Sequence, residues 1–156
     1  MKYVFLDSQE EELLKRHQRT FPVKVAALAH ALGLSVREVD MADDVSGSLS
    51  KESNGWTIRV NRRHARVRQR FTVAHEIAHY LLHRDKIKLD VVDDAFYRSS
   101  LSDKTEREAN SLAAEILMPW QLIKIATDQG SRDPETLAKT FEVSETAMSI
   151  RLGLNA

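Results

Sequence analysis

The chain reads as an α+β domain, mostly helical, with one small antiparallel sheet. Three observations predict this. Apolar residues recur at helical spacing over most of the 156 residues. A single Asn-Gly pair, Asn54-Gly55, sits between two runs of extended character. Helices and strands are segregated along the chain rather than alternating, which favours α+β over a parallel α/β sheet. The length suits one domain spanning 1–156, able to bury roughly 68–70% of its unfolded surface.

The elements follow in order. Leu13 to Leu34 has helical periodicity broken at Pro22, with a stripe of Val25, Leu28, Ala29 and Leu32 that stops at Gly33. Val36, Val39 and Met41 suggest a short extended segment that closes an N-terminal helical region, 1–44. A central region, 45–119, opens with two antiparallel strands around Asn54-Gly55, the second being Trp56 to Asn61. A helix from about Val67 to His83 comes next. Arg84 to Lys104 lacks periodicity and reads as an irregular, acid-rich arm, long enough to cover a cleft. Glu106 to Met118 is a helix ended by Pro119. The remaining segment, 120–156, holds a short helix over Trp120 to Gln129 and two more around Val143-Ser144.

Bulk properties exclude several classes. Lys plus Arg equals Asp plus Glu at 23 each, so no global field draws nucleic acid or an anionic membrane. No apolar run approaches a membrane span. The N-terminus turns acidic at Glu10-Glu11-Glu12, unlike a secretory leader, and a cytoplasmic location is expected. Without cysteine there is neither disulfide nor thiolate ligand, so any metal must be held by His and carboxylate.

His75-Glu76-Ile77-Ala78-His79 is the stretch that carries chemistry. Spacing of i, i+4 stacks the imidazoles on one helical face, with Cβ atoms about 5–6 Å apart. Both ring nitrogens can then reach one ion at the usual zinc–nitrogen distance of about 2.0–2.1 Å. Glu76, beside the first histidine, is placed to act as general base on a water at that ion. The flanks, from Phe71 to Leu82, are apolar almost all round, and uncompensated His and Glu in such a helix are costly to desolvate.

Two histidines need a third protein ligand. An extended HExxHxxGxxH pattern would require Gly at 82 and His at 85, where the chain has Leu82 and Asp85. His83 lies a further turn along and reads as a helix-end residue. Carboxylates remain. Glu106 shares a face with Ala109, Asn110, Ala113 and Leu117, residues that allow close helix packing, and is preferred. Glu108 is the runner-up, and the aspartates from 90 to 94 come third. Asn110 is placed to accept from the far nitrogen of a ligand histidine. Zinc suits a two-His, one-carboxylate hydrolase; the same set also suits iron, and manganese stays open.

The segments Arg68 to His83 and Glu106 to Pro119 together resemble the ImmA/IrrE family of metallo-endopeptidases. The flanks are similar too, including the closing Leu137-Ala138, Phe141 and Val143-Ser144. The resemblance implies a minimal zincin, gluzincin-like fold, with His75, His79 and Glu106 as ligands to one Zn2+ and Glu76 as base. Ala78 stands where many relatives have Gly; a small residue is retained. Known members cut a helix-turn-helix transcriptional repressor and so switch on a mobile element, prophage or stress regulon. The chain is expected to lack the extra domains of some relatives, and its repressor to be a separate polypeptide.

Candidate donors to the oxyanion are Tyr97, Arg98 and His64, none favoured by spacing. Substrate binding by strand addition is expected at the Trp56–Asn61 hairpin. Two rivals stand beside the peptidase reading. A DNA-binding regulator is suggested by six arginines between Arg59 and Arg70 and by two segments that mimic helix-turn-helix. Overall neutrality and recognition helices poor in basic residues weigh against direct nucleic-acid binding. A partner-binding anti-repressor acting without proteolysis is the other, and retention of Glu76 favours the enzyme.

Overall fold

A computed structural model describes residues 6–87, 90–94 by backbone alone, and 102–154. Two short helices open it, α1 (Ser8–Arg16) and α2 (Val25–Ala31), separated around Pro22 as the periodicity predicts. Asp7 caps α1 by accepting from the Glu10 amide at 2.8 Å, the Glu10 carboxylate reaching back to complete a capping box.

The sheet comprises β1 (Ser35–Val39), β2 (Val45–Glu52), β3 (Gly55–Asn61) and β4 (Asp90–Asp94), in the order β1-β3-β2-β4. Antiparallel pairing holds for β2 with β3 and β2 with β4, but β1 runs parallel to β3. The expected antiparallel sheet is therefore mixed. Local pattern gives β1 its extended backbone; where α2 delivers it decides the partner, and that is a tertiary matter. The same finding moves β3 from edge to centre, because both its sides are paired. Strand addition at the Trp56–Asn61 segment is thus excluded, since the edges are β1 and β4.

Leu49 and Ile58 face each other across β2 and β3, fully buried, and Val60 continues the apolar face. On the opposite face, Arg59 donates to Glu52 at 2.6 Å and to Ser50 at 2.9 Å, closing a polar cover. Gly55 makes the turn at φ 124°, a conformation side chains rarely adopt.

The apolar face carries the long helix α3 (Arg66–His83). Gly47 sets how closely they approach. A Cβ there would lie 2.6 Å from both the Arg59 carbonyl oxygen and Thr72 Cγ2. The pairing of β2 with β4 is irregular between Val45 and Gly47, a bulge at the same point.

The expected irregular arm contains order. Arg84–Lys86 forms a 3-10 turn, Asp90–Asp94 is β4, and Asp103 already belongs to the next helix. Val91 and Val92 between aspartates are too short an alternation to read as a strand; main-chain pairing along β2 decides it. Helix α4 (Asp103–Leu117) starts three residues before the predicted Glu106, because Ser102 caps it through the Thr105 amide. It packs on α3, and Ala74 and Ala78 of α3 and Ala109 and Ala113 of α4 are all fully buried. Helices α5 (Trp120–Asp128), α6 (Pro134–Phe141) and α7 (Glu145–Arg151) complete the chain, near the predicted positions. Arg70 ties them to α3 by donating to the carbonyls of Glu142 at 3.0 Å and Phe141 at 3.2 Å.

Candidate metal centre

The second half of α3 is buried without interruption from Thr72 to His79. Helix geometry puts His75 and His79 one turn apart, their rings 4.5 Å between centroids and nearly perpendicular. The packing of α4 on α3 brings Glu106 opposite them. Its Oε2 lies 2.9 Å from His79 Nε2 and its Oε1 3.4 Å from His75 Nε2. Glu106 sits in the first turn of α4, where the helix dipole favours negative charge.

His75, His79 and Glu106 each offer one donor atom, all within 4.8 Å of one another. Tetrahedral zinc donors stand about 3.3 Å apart when each bond is about 2.0–2.1 Å. The 2.9 and 3.4 Å separations, each to a different oxygen of the Glu106 carboxylate, lie near that edge length, so a small shift of the side chains would let the set hold a divalent ion. Glu76 is fully buried on the same helix, between the two histidines in sequence.

Each imidazole is oriented through its other nitrogen. His75 Nδ1 donates to Asn110 Oδ1 at 2.8 Å, the contact expected of Asn110. His79 Nδ1 lies 3.0 Å from Nδ1 of His83, and His83 Nε2 lies 2.9 Å from Glu108 Oε1. Burial pulls the His83 pKa below its ordinary value, partly opposed by the Glu108 hydrogen bond. Glu108 therefore faces His83, outside the cluster that Glu106 completes. The part of His83 beyond ending a helix was missed. Its spacing of i+4 from His79 was the signal available.

The proposed oxyanion donors fare differently. His64 is spent on the loop before α3, its Nε2 lying 2.8 Å from the Asp43 carbonyl oxygen. Helical rise alone separates the start of α3 from His75 by about 13 Å, so His64 belongs to the far end of that helix. Tyr97 and Arg98 lie outside the described residues, as do the side chains of Asp90, Asp93 and Asp94.

The arginine run is engaged within the fold. Arg59 pairs with Glu52, Arg62 and Arg63 lie 3.8 Å from Asp40, and Arg66 pairs with Glu142 at 2.8 Å. Arg68 donates to Ser46 at 3.2 Å, and Arg70 holds α6. Among the described residues no helix is long and apolar enough to cross a membrane.

Two packed helices thus aim two imidazoles and a carboxylate at one point, backed by a small sheet, and the three side chains form a cluster able to hold a metal ion. The chain belongs to the peptidase family of IrrE N-terminal-like domains, whose family model matches residues 9–153. The radiation response metalloprotease IrrE of Deinococcus radiodurans is 35% identical over 85 residues, 54% of this chain and 26% of that protein. The chain thus matches about a quarter of that relative's length. A Mycobacterium tuberculosis transcriptional regulator shares the fold, with a TM-score of 0.64 at 18% identity over 96% of this chain and 48% of that one.

Proposed function

We propose that this chain is a zinc-dependent endopeptidase acting in the cytoplasm on a helix-turn-helix transcriptional repressor, relieving repression of a mobile element, prophage or stress regulon. The observation that carries the enzymatic part is the convergence of His75, His79 and Glu106 within 4.8 Å, with Glu76 buried beside them. Family membership supports the peptidase chemistry. The repressor substrate is supported by the family resemblance, and a relative described as a metalloprotease of the radiation response is consistent with it.

His75, His79 and Glu106 hold the ion. Bound there, a divalent zinc acidifies water and polarises a carbonyl. Asn110 keeps the hydrogen of His75 on Nδ1, so that Nε2 presents its lone pair to the centre. Glu76 accepts a proton from the attacking water and returns it to the departing amine, a transfer worth about 10²–10⁴ in rate. Its apolar helix excludes bulk water from the base.

The test is incubation of the full chain with the helix-turn-helix protein encoded beside it, read by intact mass. Cleavage at one site with zinc, abolished in Glu76→Gln at unchanged metal content, is the expected result. Equal cleavage by Glu76→Gln would remove the mechanism, and an uncut repressor would remove the substrate.

A further inference from the structure

We propose that His83 and Glu108 are positioning residues of the metal centre, which hold the hydrogen of His79 on Nδ1 and so commit its Nε2 lone pair to the ion. This rests on His79 being a ligand, as read above. His83 is buried at 2% exposure and lies in line between its two partners, 3.0 Å from His79 Nδ1 and 2.9 Å from the Glu108 carboxylate.

The hydrogen-bond roles follow from the end of the row. A carboxylate only accepts, so His83 must carry a hydrogen on Nε2. A neutral imidazole with that hydrogen has a bare, accepting Nδ1. Among the described residues, the group at hydrogen-bond distance from that nitrogen is His79 Nδ1, which must therefore donate. With its hydrogen on Nδ1, His79 keeps Nε2 as a lone pair, and that atom is the one 2.9 Å from Glu106. The reverse arrangement, with His83 donating from Nδ1 to a bare His79 Nδ1, would set two lone pairs against each other at Glu108 and move the His79 hydrogen to Nε2, the atom the ion needs.

The two ligand histidines are thus oriented by unlike means. Asn110, a neutral amide, serves His75 directly, whereas a carboxylate serves His79 through an intervening imidazole. Histidine ligands whose second nitrogen is held by such a partner gain basicity and fixed ring orientation. A histidine that merely filled space at the end of α3 would have no need of an acid on α4.

Two measurements on the full-length chain decide this. In the zinc-loaded protein, long-range proton–nitrogen NMR of the imidazoles should find the His83 hydrogen on Nε2 with Nδ1 bare. A hydrogen on Nδ1, or on both nitrogens, overturns the proposal, and this reading requires no variant to fold. Zinc affinity by chelator competition is the second. His83→Leu should weaken zinc binding roughly 10- to 100-fold. His83→Asn, whose Oδ1 replaces the accepting ring nitrogen, should recover to within about threefold, with Glu108→Ala in between. Unchanged affinity in His83→Leu, or equal losses in the Leu and Asn variants, overturns the positioning role while leaving the metal centre intact. A wild-type chain that bound no zinc would overturn both.

Discussion

The two halves of α3 put their polar residues to opposite uses. From Arg66 to Gln69 the helix is exposed or half-exposed, and its arginines meet Glu142 and Ser46 on neighbouring segments. From Thr72 to His79 every residue is buried, and the two histidines there turn toward one point shared with Glu106. Exposed ion pairs contribute little, because water competes for both partners. Buried imidazoles and carboxylates are costly unless something compensates them, so their convergence signals chemistry where the arginine run signals only a solvated, stitched surface. Charge density along a sequence is a poor guide; burial of the charge decides.

That contrast is broken most directly in the buried half. His79→Ala should reduce bound metal from about one equivalent to near none, measured by elemental analysis, and with it remove peptidase activity. Next in size is the junction between the halves. Arg70→Met would leave the carbonyls of Phe141 and Glu142 without their donor, and should cost about 2–3 kcal/mol in denaturant unfolding with zinc affinity unchanged. Gly47→Ala forces a Cβ against the Arg59 carbonyl and Thr72, and should cost about 1–3 kcal/mol in the same assay.

The exposed half should respond weakly. Arg62→Ala with Arg63→Ala is expected to change stability by less than about 1 kcal/mol, since both pairs with Asp40 are long and solvated. The smallest effect is one of pH. The hydrogen bond from Arg66 holds Glu142 below its ordinary value of 4.5. A depressed acid stabilises the fold above its unfolded pKa and loses that contribution as pH falls through the folded value. Wild type and Arg66→Ala should therefore differ slightly near neutrality and converge below about pH 4 in thermal unfolding. A gap that widened in acid would contradict the pairing.

Much of this was legible in the sequence because it depends on local spacing. The histidines one turn apart, the Asn54-Gly55 turn and the stops at Gly33 and Pro119 are properties of neighbours along the chain. Glu106 was reachable because its helical face of small residues announces close packing. What escaped needed distance information. The parallel partner of β1, the central place of β3 and the strand hidden in the acidic arm all depend on which segments meet in space. Glu108 illustrates the limit. Two residues from Glu106, it reads as a rival ligand, and only the α3–α4 contact turns it toward His83 instead.

The guanidinium of Arg70 has a consequence for how the molecule tolerates damage. It is rooted in the helix that bears the histidines, yet its two acceptors lie beyond Asp133 in sequence. A nick or frameshift that shed the closing pair of helices would take both acceptors away from that cation and uncover it, on the helix that bears the histidines.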